Sequence, residues 1–158
     1  MIIRQLDFYT DGAFSSKTEM GGWGCICVED DNIIDTRSGY EPYSTNNRME
    51  LTAFLCALEQ INEIVSRNTS VTIYVDSAYI ANCINDKWYL RWLENGWRTA
   101  DRQQVKNQDL WSRIIALYIK NNGRLKNLQV TKVKSHSKNT YNEYADLLAV
   151  KARKELEV

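Results

Sequence analysis

The sequence predicts a single domain of α/β (α+β) class, a mixed five-stranded sheet flanked by helices, and three observations lead there. Up to residue 40 the chain runs in short apolar or alternating stretches broken by polar turns, as hairpin-linked strands do. From Thr45 the apolar period lengthens to three and four residues, the spacing of an amphipathic helix. Beyond that helix, strand-like and helix-like runs alternate, which is the pattern of crossover units.

Residues 3 to 11, 22 to 29 and 33 to 40 read as three strands of an antiparallel meander. A Gly-rich and Ser-rich stretch at 12 to 22 is expected to join the first two, and the polar turn Glu29-Asp30-Asp31-Asn32 the second and third. Leu51, Leu55, Leu58 and Ile61, with Ala53, Phe54 and Ala57 beside them, form one helical face that Ser44 or Thr45 could cap. Val71 to Val75 is a short β-branched run, and a helical pattern follows from Ser77. Next come a Trp-rich, basic segment from Trp88 to Lys106, a helix from about Asn107 to Asn121, a strand near Leu128 to Val133, and a last helix from about Asn142. Hairpin partners run antiparallel and crossover partners parallel, so the expected sheet is mixed.

Composition narrows the function classes. A chain of 158 residues with 44% hydrophobic content can close one sizeable core, so residues 1–158 are expected to form a single domain. Lys and Arg total 20 and so do Asp and Glu, which argues against coating a nucleic acid by bulk charge and requires a local patch for any polyanion. No apolar run approaches the roughly 20 residues that span a bilayer, and MIIRQLDFYT reads as a strand and not as a signal peptide, so no membrane partner and a cytoplasmic location are expected. Four cysteines without a CxxC pair read as free, mostly buried thiols.

Four acids stand where folding alone does not want them. Asp11 closes the run Leu6, Phe8, Thr10 beside Gly12, where backbone can approach a ligand closely, and Asp76 closes Val71 to Val75 at the carboxyl end of a strand. Glu50 shares the inward face of Ala53, Phe54, Ala57 and Leu58, and Asp146 is expected in the first turn of the last helix. Taken singly, Glu50 and Asp146 read equally as first-turn acids favoured by the helix dipole. Together, with no Cys or His cluster to suit zinc, the four are an oxygen-only ligand set for Mg²⁺, with Mn²⁺ as a substitute. Several carboxylates in one place can hold two such ions roughly 3.5 to 4 Å apart, the arrangement used for in-line phosphoryl displacement.

TDGA at 10 to 13, TNNRMEL at 45 to 51, VDSAY at 75 to 79 and VKSHSKNTYNEYAD at 133 to 146 follow one family's order and spacing. The chain resembles a type 1 ribonuclease H of the bacterial kind from about residue 3 to residue 154. That resemblance implies a ribonuclease H-like fold, a monomer, and metal-dependent endonucleolytic hydrolysis of the RNA strand of RNA/DNA hybrids by two metal ions, leaving 5′-phosphate and 3′-hydroxyl ends. It implies metal ligation by Asp11, Glu50, Asp76 and Asp146, and for His136, the one histidine, an assisting part in proton transfer or product departure. Asn46 and Asn47 match minor-groove readers, and backbone beside the acids, at Gly12 and Ser77, is placed to sense 2′-hydroxyls. Trp88 matches a DNA-strand contact, while Thr45, Lys106 and Asn107 match positions near the DNA backbone.

The stretch from Lys87 to Lys106, with Arg91, Arg98 and Arg102, resembles the basic handle of bacterial members; Trp92 and Trp97 are expected to pack it onto the domain. Departures from the family pattern fall on substrate grip. Leu93, Glu94 and Asn95 stand where relatives often carry basic residues, which predicts weaker hybrid affinity with a shallower salt dependence. SSKTEM at 15 to 20 replaces a glycine- and proline-rich loop, where Lys17 could take a phosphate, and Ala81 replaces an arginine that often lines a phosphate pocket. The alternative reading is a catalytically weak hybrid-binding module of the same fold. A transposase or Holliday-junction nuclease would share the acid-based chemistry, but TNNRMEL and the handle speak against it.

Overall fold

The computed structural model describes residues 3–133 and 140–155. Five strands, β1 (Arg4–Phe14), β2 (Met20–Glu29), β3 (Asn32–Pro42), β4 (Thr69–Val75) and β5 (Asn127–Lys132), form one sheet in the order β3-β2-β1-β4-β5. β1, β2 and β3 pair antiparallel, whereas β4 lies parallel to β1 and β5 parallel to β4. The sheet is therefore mixed in the way the hairpins and crossovers require. The helices are α1 (Asn46–Asn62), α2 (Ala78–Asn85), α3 (Trp88–Asn95), α4 (Gln108–Asn122) and α5 (Thr140–Lys154).

The two faces of the sheet are covered differently. On one, Leu6, Phe8, Val71 and Ile73 meet Leu51, Phe54 and Leu58 of α1, and the same core continues through α2, α3 and α4 to the buried Trp111 and Ile114. On the other, Tyr9, Ile26 and Val28 form a smaller cluster with Ala145 of α5 and the half-buried Tyr74, Tyr141 and Leu148. Tyr9 stacks on Tyr74 there at 4.6 Å between ring centroids.

Two element boundaries differ from the sequence expectation in ways that shape the site. The stretch 12 to 22 is mostly strand: β1 runs on to Phe14 and β2 begins at Met20, so only residues 15 to 19 turn. Its glycines read as loop signals because glycine commonly marks turns. Gly22 pairs in register opposite Ala13 and, further along the expected strand, Gly24 opposite Asp11, and their missing side chains admit a helix. A Cβ on Gly24 would sit 2.6 Å from the Ala145 carbonyl oxygen, and one on Gly22 2.1 Å from that of Ala149. The second difference is α5, which is already helical at Thr140, so Asp146 lies in its second turn and the dipole explanation loses its basis.

Elsewhere the local signals hold. Thr45 caps α1, its hydroxyl accepting from the Arg48 N–H at 3.1 Å. Cys25, Cys27 and Cys83 are buried, Cys56 half-buried, and all four are free thiols. No helix among the described residues is long and apolar enough to cross a membrane.

Candidate active site

The site forms where the sheet runs out of one strand. β1 pairs with β4 only as far as Tyr9 opposite Tyr74, and β4 ends at Val75, while β1 continues against β2 to Phe14. Asp11 is thus not at the end of its strand, as the apolar run suggested, but just past the end of its neighbour. By strand alternation it shares the face of Tyr9, toward α5, whereas Gly12 faces α1. The notch beyond β4 lets groups from both faces meet. Gly12 makes this possible, since a Cβ there would lie 2.5 Å from the Glu50 backbone nitrogen and 2.7 Å from the Met49 carbonyl carbon. Backbone-to-backbone approach of β1 and α1 brings Glu50 beside Asp11, so the closeness that Gly12 permits on its Cβ side is to the protein's own helix.

Carboxylate oxygens of Asp11, Glu50 and Asp76 lie within 4.8 Å of one another. Among the described residues this is the one such grouping of metal-binding side chains. Asp146 stands outside that trio but against Asp11. Burial pushes the Asp11 carboxyl up to about 8; the Gly12 N–H, donating at 2.9 Å, opposes the rise, and the charge of Asp146, a hydrogen bond with it, and Asp76 add to it. Glu50 is pushed up to about 7 by burial first and by Asp76 second, against the amide of Asn46, which donates at 3.0 Å, and the hydroxyl of Ser77. The Ser77 oxygen also caps α2 by accepting from the Ile80 N–H at 3.2 Å.

These shifts come first from burying the carboxylates and then from gathering them without a counter-charge. Converging carboxylates, all oxygen donors and with no thiolate or imidazole among the described members, suit a hard divalent cation, and such a cation would remove the repulsion that raises Asp11 and Glu50. The donor set therefore fits the group that the sequence anticipates.

The predicted substrate-side residues divide into two groups. Asn46, Thr45 and Ser77 are already engaged at the acids or at helix caps. Asn47 and Lys106 line one cavity of about 470 Å³ together with Tyr79, Thr99, Gln103 and Gln104. Trp88 is 40% exposed and meets Tyr79 edge-on at 5.9 Å, next to a smaller cavity shared with Arg91 and Arg98. Trp92, as expected, is an anchor: it is buried and crosses Trp111 at 5.3 Å, with the half-buried Trp97 at 6.0 Å. Asn107 is the residue before α4, in the left-handed region at φ 59°, with no side-chain cap bond. His136 lies outside the described residues.

The departures also find their places. Leu93 and Glu94 are exposed, and Asn95 closes the loop behind α3 by bonding both the N–H and the carbonyl of Arg98, at 2.9 and 3.0 Å. The turn at 15 to 19 is bonded within itself, Glu19 N–H to the Ser15 carbonyl at 2.7 Å, with Lys17 exposed. Ala81 is buried in the main core.

Sequence reasoning missed Arg48. Its guanidinium donates to Glu41 at 2.8 Å, to both oxygens of Asp109 at 3.1 and 2.8 Å, and to the Asn107 side-chain oxygen at 3.2 Å. A signal was present: a cation in the first turn of a helix opposes the dipole and implies acids brought from elsewhere.

The RNase H family profile matches residues 4–154. A ribonuclease H of Chlorobaculum parvum is 43% identical over 152 residues, covering 96% of this chain and 97% of its own, and one of Caldicellulosiruptor saccharolyticus is 37% identical over 154, covering 98% and 99%. Among solved structures, LC9-RNase H1, a type 1 RNase H with the type 2 active-site motif, aligns with a TM-score of 0.77 at 26% identity over 97% of this chain and 74% of its own. LC11-RNase H1 in complex with RNA/DNA hybrid shares the fold with a TM-score of 0.71 at 19% identity, over 97% and 99%.

Proposed function

The chain belongs to the ribonuclease H family, and from that premise we propose that it is a metal-dependent endoribonuclease. In this reading it acts as a single-domain monomer, hydrolysing the RNA strand of RNA/DNA hybrids to leave 5′-phosphate and 3′-hydroxyl ends. The observation that carries the reading is the convergence of Asp11, Glu50 and Asp76 within 4.8 Å. The hybrid bound to LC11-RNase H1 supports the substrate class.

Asp11, Glu50 and Asp76, with Asp146 beside Asp11, would hold two Mg²⁺ ions, or Mn²⁺ in their place. When bound, those ions supply the Lewis acidity and charge neutralisation that in-line attack on a phosphodiester needs. The protein's own part is positional. Asn46 and Ser77 hold the Glu50 carboxylate from two sides, which fixes its direction before substrate arrives. An amide has two N–H donors and a carbonyl, so Asn46 keeps a donor and an acceptor for base edges while it bonds Glu50. Asn47 reads the minor groove beside it, and backbone at Gly12 and Ser77 meets 2′-hydroxyls. On the other strand, Trp88 contacts the DNA, and Thr45, Lys106 and Asn107 lie near the DNA backbone. His136 assists proton transfer or the departure of product, so its loss slows turnover without ending it.

The test is incubation of the purified protein with an end-labelled RNA/DNA hybrid, with duplex RNA and duplex DNA as controls, with and without Mg²⁺. Cleavage confined to the RNA strand of the hybrid and dependent on metal is the expected result. A hybrid that shifts on a gel yet stays intact under every metal condition would make this chain a binding module.

A further inference from the structure

We propose that Arg48 is a positioning residue that holds the start of α1 and the end of the basic segment at a fixed separation, setting the width of the cleft between Asn47 and Lys106. The proposal rests on the hybrid-cleaving reading above and names the part of the chain that sets grip on that substrate.

One side chain ties three segments together. Arg48 sits in the first turn of α1, Glu41 near the end of β3, and Asn107 and Asp109 where the basic segment passes into α4. Both Asp109 oxygens accept from the guanidinium, a two-point contact that fixes angle as well as distance. Asn107 turns its side-chain oxygen to Arg48 instead of capping α4, which its left-handed backbone allows. The clamp is continuous in sequence with the cleft walls: Asn47 precedes Arg48 and Lys106 precedes Asn107, and both line the cavity of about 470 Å³. Val105, Leu110 and Trp111 root this stretch in the main core, and the guanidinium adds a directed polar tie that fixes where its exposed turn stands against the start of α1. Only a planar fork with several donors can serve Glu41, Asp109 and Asn107 at once; a lysine ammonium cannot reproduce the geometry.

Arg48→Lys keeps the charge and removes the fork. KM for hybrid should rise about three- to tenfold with kcat nearly unchanged, since the acids are assembled by other contacts. Asp109→Asn is the sharper test. It removes a negative charge from a face that meets a polyanion, so charge alone would lower KM, whereas the clamp requires KM to rise. The double variant should be no worse than the worse single, because both break one contact. Arg113→Lys, which alters an exposed pair with Glu59 nearby, should change neither parameter. A lowered or unchanged KM in Asp109→Asn, or a fall in kcat with KM unmoved in Arg48→Lys, would overturn the clamp while leaving hybrid cleavage standing. A wild-type chain that neither cleaves nor binds hybrid would overturn both.

Discussion

The candidate site is assembled by two different methods, one on each face of the sheet. Asp11, Glu50 and Asp76 come from β1, α1 and the end of β4, elements locked together by the large core that runs from Leu6 and Phe8 to Trp111. Asp146 comes from α5, which rests on the smaller tyrosine-rich cluster and whose backbone lies directly on Gly22 and Gly24 of β2. The first method places acids mainly by volume, with many side chains setting the spacing and one missing side chain, at Gly12, letting α1 close on β1. The second places an acid by the absence of side chains. Three carboxylates are therefore overdetermined, and the fourth depends on glycines paired beside Asp11.

The largest break should come from the overdetermined trio. Asp76→Asn is expected to reduce hybrid cleavage by on the order of a thousandfold or more while circular dichroism and thermal melts stay native, since it removes a ligand and not a packing contact. Gly12→Ala attacks the same half through its packing. Its Cβ has no space against α1, so stability should fall by about 3 kcal/mol and cleavage should fall with it, measured by urea unfolding and by turnover at a temperature where the variant is folded.

Gly24→Ala sharpens the comparison from the other side. Its Cβ meets the Ala145 carbonyl at 2.6 Å, so α5 and Asp146 must shift while α1 does not. Cleavage should fall about tenfold to a hundredfold, with hydrogen exchange loosened in α5 and not in α1. If exchange loosened equally in both helices, the two halves would not be separate. His136→Ala, in the segment before α5, should cost about tenfold or less in kcat with KM retained.

The smallest effect is on stability against pH without metal. The Asp11 carboxyl titrates at about 8 in the fold against 3.8 ordinarily. Between those values the folded chain binds more protons there than the unfolded chain, so this group makes stability fall as pH rises from about 4 to 8. Asp11→Asn removes that loss. In chelator its Tm should exceed the wild type's by several degrees at pH 8 and match it near pH 4; a lower Tm at pH 8 would make Asp11 a structural residue.

What the sequence revealed follows the same division. Core-facing acids at the ends of apolar runs are legible because a buried carboxylate contradicts the pattern around it, and Asp11, Glu50 and Asp76 do come together. The alternation and period that predict β1, α1 and β4 arise from the large core that positions those acids. The α5 side was less legible: glycines at 12 to 22 carry no side-chain pattern, so a paired strand and a loop look alike until the helix on top is seen. Asp146 was expected in a first turn because Asn142 reads as a cap, whereas α5 is already helical at Thr140. Arg48 was missed because its partners, Glu41, Asn107 and Asp109, are remote in sequence, and pairing at that range leaves no local period to read.

The central claim is that the trio is a divalent metal site, and Mg²⁺-dependent melting of the wild type, Asp11→Asn and Asp146→Asn tests it most directly. At a metal concentration a hundredfold above Kd, binding to the folded state alone adds about 2.7 kcal/mol, or roughly 5–10 °C in Tm. A rise of that size in the wild type, reduced in Asp146→Asn and absent in Asp11→Asn, is the predicted result. An equal rise in all three, or none in the wild type at any Mg²⁺ or Mn²⁺ concentration, would contradict it.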